Sequence, residues 1–251
     1  MERVLVVGAT GNVGISVIIA ALRSQREVLA PVRNAAAAER LYQHVGTKSG
    51  ITTVEVDVTS DDGVQSLVDR VKARELPSFQ HVYAAVGVFR AQSPSYTVDL
   101  SYYRDAMNIN AGAAFAAYRA TVPYLLEQGD PNATWTVVTG GAGTYGSHGV
   151  TAISQGALFS LAALASRELD KTNVRFNEAY LDYRVEYDAQ CEGEANAWKM
   201  KASDYAKIYE GILADKKIKG CRVICESPAD LEKLRYEPKL PNPNAANLFV
   251  E

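Results

Sequence analysis

The run "VLVVGATGNVG" at Val4–Gly14 constrains the fold more than any other part of the 251-residue chain. Four apolar residues lead directly into Gly8, Gly11 and Gly14. A buried strand that ends in such a turn and enters a helix is the opening unit of a nucleotide-binding sheet. The first glycine permits the tight turn, the second lets backbone approach a pyrophosphate, and the last lets helix and strand pack. The amides of Thr10, Asn12 and Val13 would then face phosphate from the positive end of the helix. Glycines also close ordinary turns, so the preceding strand decides between the two readings.

The rest of the chain repeats that alternation. Strands are expected near Val4–Val7, Val28–Val32, Thr53–Asp57, His81–Val86, Thr134–Thr139, Phe176–Leu181 and Arg222–Cys225. Helical patterns fill the intervals, the longest near Ser101–Glu127 and Ala152–Leu169. Strand–helix alternation implies parallel strands joined by crossovers. The expected fold is therefore α/β, a Rossmann-type doubly wound parallel sheet of about seven strands flanked by helices. One domain should span residues 1–236, and "EPKLPNPNAANLFVE" (237–251), with its three prolines, should form an irregular tail.

Composition narrows the classes of partner. A formal charge of −3 gives no electrostatic reason to expect nucleic acid or an anionic membrane. No run approaches the roughly 18 apolar residues of a membrane span, and glycines break the N-terminal apolar stretch before it can read as a signal peptide. The three cysteines, Cys191, Cys221 and Cys225, are too few for a disulfide framework. If the last two share a strand, they lie about 13 Å apart, beyond disulfide reach. Buried thiols in a cytoplasmic protein are the expectation, and no metal site is expected.

The second strand ends "LAPVRN". An NAD site usually shows an acid about 20 residues beyond the glycines, accepting from ribose hydroxyls. Here Arg33 stands at that end, and a guanidinium suits a 2′-phosphate. This favours NADP(H); a solvated surface arginine is the alternative.

With these residues in place, the chain resembles the short-chain dehydrogenase/reductase superfamily over nearly its full length. Asp57 and Val58 match that family's adenine-contacting pair, and "AAVG" (Ala84–Gly87) sits where the family has Asn-Asn-Ala-Gly, placing Ala85 and Gly87 beside the cofactor. "NAGAAFAAYRATVPYL" fits the long fourth helix, putting Asn110 at the structural and catalytic Asn. "TWTVVTGGAG" resembles the fifth strand, and "NVRFNEAYLDYRV" the sixth with its loop. The departures fall at the chemistry. Gly140 occupies the place of the catalytic Ser, with Thr139 just before it. The family's Tyr-x-x-x-Lys becomes Thr151-x-x-x-Gln155, and its Pro-Gly becomes Leu181-Asp182.

The resemblance implies hydride transfer with a tyrosine as proton donor, its pKa lowered from about 10 by the lysine. Thr151 is far less acidic, and Gln155 brings no charge. Losing general acid catalysis costs roughly 10²–10⁴ in rate. Three readings stay open. One is a biosynthetic NADP(H) reductase of an activated substrate, such as an iminium, enone or quinone-like molecule. Another is a non-redox isomerase, cyclase or lyase on the same scaffold. The third is a non-catalytic dinucleotide sensor. Candidate catalytic residues are Asn110, Thr139, Tyr145 and Thr151, with Ser147 and His148 as further donors or as solvated loop residues. Gln155 could hold a ribose hydroxyl. The alanine-rich helices imply, by the same resemblance, a homodimer or homotetramer.

Overall fold

A computed structural model describes residues 1–240. The chain begins with β1 (Arg3–Val7), α1 (Asn12–Arg23), β2 (Glu27–Val32), α2 (Ala35–Val45), β3 (Ile51–Glu55), α3 (Gly63–Lys72) and β4 (His81–Ala84). It continues through α4 (Leu100–Met107), α5 (Ala113–Gln128), β5 (Thr134–Gly140), the one-turn α6 (Ala142–Tyr145), α7 (Val150–Glu168) and β6 (Arg175–Leu181). The last third holds β7 (Val185–Glu186), β8 (Met200–Lys201), α8 (Ala202–Ala214), β9 (Cys221–Cys225) and β10 (Arg235–Pro238).

Eight strands form one sheet in the order β10-β9-β6-β5-β4-β1-β2-β3, parallel throughout except for β10. Its central strands, β1, β2, β4, β5 and β6, are buried on both faces, as parallel strands under crossover helices must be. The edge strands β3 and β10 are largely exposed. Val4 and Val6 pack with α1 and α8, while Leu5 and Val7 pack with α3 and α5. Full burial of each such side chain contributes about 1.5–3 kcal/mol. The order reverses between β1 and β4, which opens a crevice beyond their carboxyl ends. Among the described residues no helix is long and apolar enough to cross a membrane. All three cysteines are buried and unpaired, with Cys221 and Cys225 on one strand.

Several boundaries depart from the sequence expectation. The third strand begins at Ile51 and ends at Glu55, so Val56 and Asp57 leave the sheet at the crevice. The fourth ends at Ala84, because Ala85–Val88 turn out to line the same opening. The expected helix Ser101–Glu127 is interrupted by a π-turn at Asn108–Gly112. Such wide turns recur at functional sites, and this one carries buried Asn110. The irregular tail was expected from Glu237, yet Glu237 and Pro238 belong to β10, giving the eighth strand. Proline is tolerated there because the outer side of an edge strand needs no donor. Residues 241–251 of the expected tail lie outside the described residues.

Candidate functional site

Two cavities meet beyond the carboxyl ends of β1, β4 and β5, sharing Ala85, Val86, Gly87 and Val88 as a common wall. The smaller, of about 390 Å³, is lined by Gly8, Thr10, Gly11, Arg33, Asp57, Val58, Ala85 and Gly87 among others. Eight of the eleven expected cofactor residues thus converge on one space. Asn12 and Val13, expected to contribute their backbone amides, open α1 directly after Gly11. Only their side chains point away from the cavity: the Asn12 side-chain amide donates to Val185 O at 3.1 Å, and Val13 packs on the core.

The glycine turn has a direct steric cause. Gly8 has φ +93°, and a β-carbon there would sit 2.5 Å from Val86 N. At Gly14 a β-carbon would meet Gly8 O at 2.1 Å, so helix and turn touch backbone to backbone. Gly11, the N-cap of α1, supplies no side-chain cap, and no acidic residue stands in the helix's first turn. Its first-turn amides are left for another acceptor. Tyr187 clamps the turn from above, donating to Thr10 O at 2.7 Å while stacking on His44.

Arg33 lies exposed at the rim and makes no ion pair or side-chain hydrogen bond among the described residues. Asp57 lines the same cavity. Hydrogen bonds from the Thr59 hydroxyl and amide lower the Asp57 pKa, with a smaller contribution from Arg33.

The larger cavity, of about 850 Å³, is lined by Asn110, Thr139, Gly140, His148, Thr151, Gln155 and Asp182, with Phe89, Tyr183 and Trp198 as aromatic walls. Its polar groups are largely committed. Asn110 is buried, accepting from Val88 N at 2.7 Å and donating to Val88 O and to Ser154 Oγ. Thr139 Oγ1 donates to the buried Glu178 carboxylate at 2.7 Å. Thr151 Oγ1 accepts from Arg90 N at 2.7 Å and donates to Arg90 O at 3.0 Å, holding the loop after β4 onto α7. Gln155 Oε1 accepts from Gly140 N at 2.7 Å. Gln155 therefore stands in this cavity and not in the glycine-lined one.

Tyr145 does not line the cavity. It is 65% exposed on α6, where the nearby Asp182 carboxylate raises its phenol pKa. That is the wrong direction for a donor working near neutrality. Gly141 explains the crowding beside it, since a β-carbon there would lie 2.0 Å from Asp182 Oδ1.

Phe89, Trp198 and Tyr187 escaped the sequence reading. Trp198, in the short Gly- and Glu-containing segment before β8, is half exposed, a placement that folding alone does not require. A lone aromatic in a polar segment was the available signal.

The double hydrogen bond of Thr151 makes a checkable distinction. Thr151→Val keeps the shape but leaves Arg90 N–H without its partner. Stability should fall by about 1–3 kcal/mol in urea unfolding, with nucleotide affinity unchanged. A variant as stable as the wild type would return the hydroxyl to the list of free groups.

Comparison with known proteins agrees with this geometry. The family described as enoyl-(acyl carrier protein) reductase matches residues 8–179. The short-chain dehydrogenase/reductase iacG of Pestalotiopsis fici is 50% identical over 240 residues, covering 95% of this chain and 96% of that protein. Among solved structures, a short-chain type dehydrogenase/reductase from Mycobacterium ulcerans superposes with a TM-score of 0.71. It is 20% identical, and the match covers 85% of this chain and 83% of that one. A short-chain dehydrogenase from Shigella flexneri, complexed with NADP, reaches 0.73 at 18% identity, covering 86% and 92%. Sheet order, glycine turn and relatives converge, and the chain belongs to the short-chain dehydrogenase/reductase superfamily.

Proposed function

We propose that this chain is an NADP(H)-dependent reductase of an activated small molecule, working without the family's tyrosine–lysine relay. The observation that carries the reading is Arg33, a guanidinium without a partner among the described residues, at the rim of a glycine-lined cavity with no carboxylate at the end of β2. The uncapped start of α1 would receive the pyrophosphate, Asp57 and Val58 would flank the adenine, and Arg33 would hold the 2′-phosphate. When bound there, NADPH supplies a hydride. The roomy neighbouring cavity, walled by Phe89, Tyr183 and Trp198, suits a planar apolar substrate such as an enone or quinone.

The engaged hydroxyl of Thr151 and the neutral amide of Gln155 support an activated substrate over an ordinary ketone. The same two facts support a second reading, a non-redox isomerase or cyclase that uses the cavity as a shaped container. Product formed without consumption of one NADPH per turnover would decide for it. On α5 and α7, Phe115, Ile153 and Leu164 are exposed beside small residues, which supports pairing with a second copy of this chain.

The test is a calorimetric titration with NADPH, with NADH, and with both against Arg33→Ala. A charged hydrogen bond contributes about 1.5–3 kcal/mol, so the variant should lose roughly 10- to 100-fold in NADPH affinity. NADH binding should hardly change. Absence of binding by either nucleotide would overturn the redox reading.

A further inference from the structure

The hydroxyl of Thr151 is spent on Arg90, but an imidazole stands three residues earlier. His148 lines the larger cavity with φ +63°, in the left-handed region that favours glycine. A non-glycine residue held there costs about 1–3 kcal/mol, and such strain clusters at functional sites. Its ring is fixed at two points. Nδ1 lies 2.9 Å from Ser147 Oγ, and the ring packs on Phe89 with centroids 5.0 Å apart. Nε2 is left over, without a partner among the described residues.

We propose that His148 is the proton donor of this site, acting through Nε2 on the carbonyl oxygen of a conjugated enone or quinone. The proposal rests on the reductase reading above. A hydride adds to the conjugated carbon, and the displaced π pair moves to the carbonyl oxygen. The Nε2–H bond breaks as an O–H bond forms, and the neutral imidazole regains its proton from water. The substrate gains two electrons and the nucleotide loses two. Of the charged and titratable groups near the ring, Asp182, Tyr183 and Arg184 line the same cavity from the segment after β6. Arg184 is paired with Glu186, and Arg90, on the loop braced by Thr151, is paired with Asp105. Tyr145 stands on α6, with its phenol near the Asp182 carboxylate.

Menadione is a suitable planar probe, and the chain has three histidines, which makes proton NMR assignment tractable. Burial pushes His81 down to about 4 and lowers His44, so both have identified environments. His148→Asn preserves a residue that tolerates positive φ and identifies the missing resonance. Menadione should quench Trp198 fluorescence and shift the His148 ring signals in the nucleotide-free protein. With NADPH, His148→Asn should lower kcat by at least 100-fold with little change in KM. It should also abolish the loss of rate that an imidazole acid produces as pH rises. If menadione binds and is reduced by NADPH while the variant keeps wild-type kcat and pH profile, His148 is not the donor and the reductase reading stands. If menadione binds without moving the His148 signals, the donor assignment is likewise overturned. If menadione does not bind, the planar substrate class and the donor fall together, and the nucleotide titration judges the cofactor separately.

Discussion

Glu178→Ala should destabilise the protein by about 3–5 kcal/mol, the usual consequence of removing one partner from a buried ion pair. Glu178 is fully buried on β6, yet four donors converge on its carboxylate. Arg222, its cross-strand neighbour on β9, reaches it at 2.9 and 3.1 Å. Lys239 lies at 2.6 Å, itself almost buried, and Thr139 donates at 2.7 Å. The alanine variant leaves two cations facing each other beside Phe159 and Tyr180, with no anion between them. Urea unfolding should show a lower midpoint at unchanged m. Amides of β10 should exchange faster, because Lys239 ties the end of that edge strand to the sheet interior. Glu178→Gln should lose less, since it still accepts from Thr139. Equal stability of Glu178→Ala and wild type would mean that the cluster is neutral in balance, as some buried pairs are.

This cluster also marks the limit of what could be read without coordinates. A glutamate in "NVRFNEAYL" is an anomaly within a strand buried on both faces, so a partner could be demanded. The partners could not be named, because Arg222 and Lys239 lie 44 and 61 residues further on, in segments whose pairing depends on sheet order. The glycine turn was legible because most of its causes are local, a strand, a positive φ and the approach of Gly14 to Gly8 O, although the approach of Ala85 and Val86 to Gly8 is not. Arg33 could be placed by the end of β2, the strand beside β1, whereas Asp57, past the end of the next strand β3, was reached through the family resemblance. Catalytic candidates were harder. Thr139 and Thr151 carry hydroxyls in the right places, but their protons go to Glu178 and Arg90. Hydrogen-bond commitment is a tertiary property that residue type does not reveal. Tyr145 failed for a related reason, since the short α6 turns its ring outward.

The second large effect belongs to Gly8. Gly8→Ala should cost about 2–6 kcal/mol, from two sources that act at one atom. Positive φ in a residue with a β-carbon costs about 1–3 kcal/mol, and Gly8 sits at +93°. Overpacking costs about another 1–3 kcal/mol, and here the new atom would approach Val86 N, Ala85 C and Ala85 O at 2.5–2.8 Å. Backbone cannot rotate aside as a side chain can, so relief requires moving Ala85 and Val86. Those residues form the wall shared by both cavities. NADPH affinity should therefore fall at least tenfold along with stability. Gly11→Ala separates the two consequences. Its φ is −84°, and its β-carbon would meet nothing nearer than Gly8 O at 3.6 Å, so the fold should tolerate it. The added methyl would nevertheless stand where the uncapped α1 amides are to meet a pyrophosphate. Unfolding should be nearly unchanged and calorimetric NADPH binding strongly weakened. If Gly11→Ala binds NADPH as tightly as wild type, the turn is a structural device only, and the phosphate must be held elsewhere.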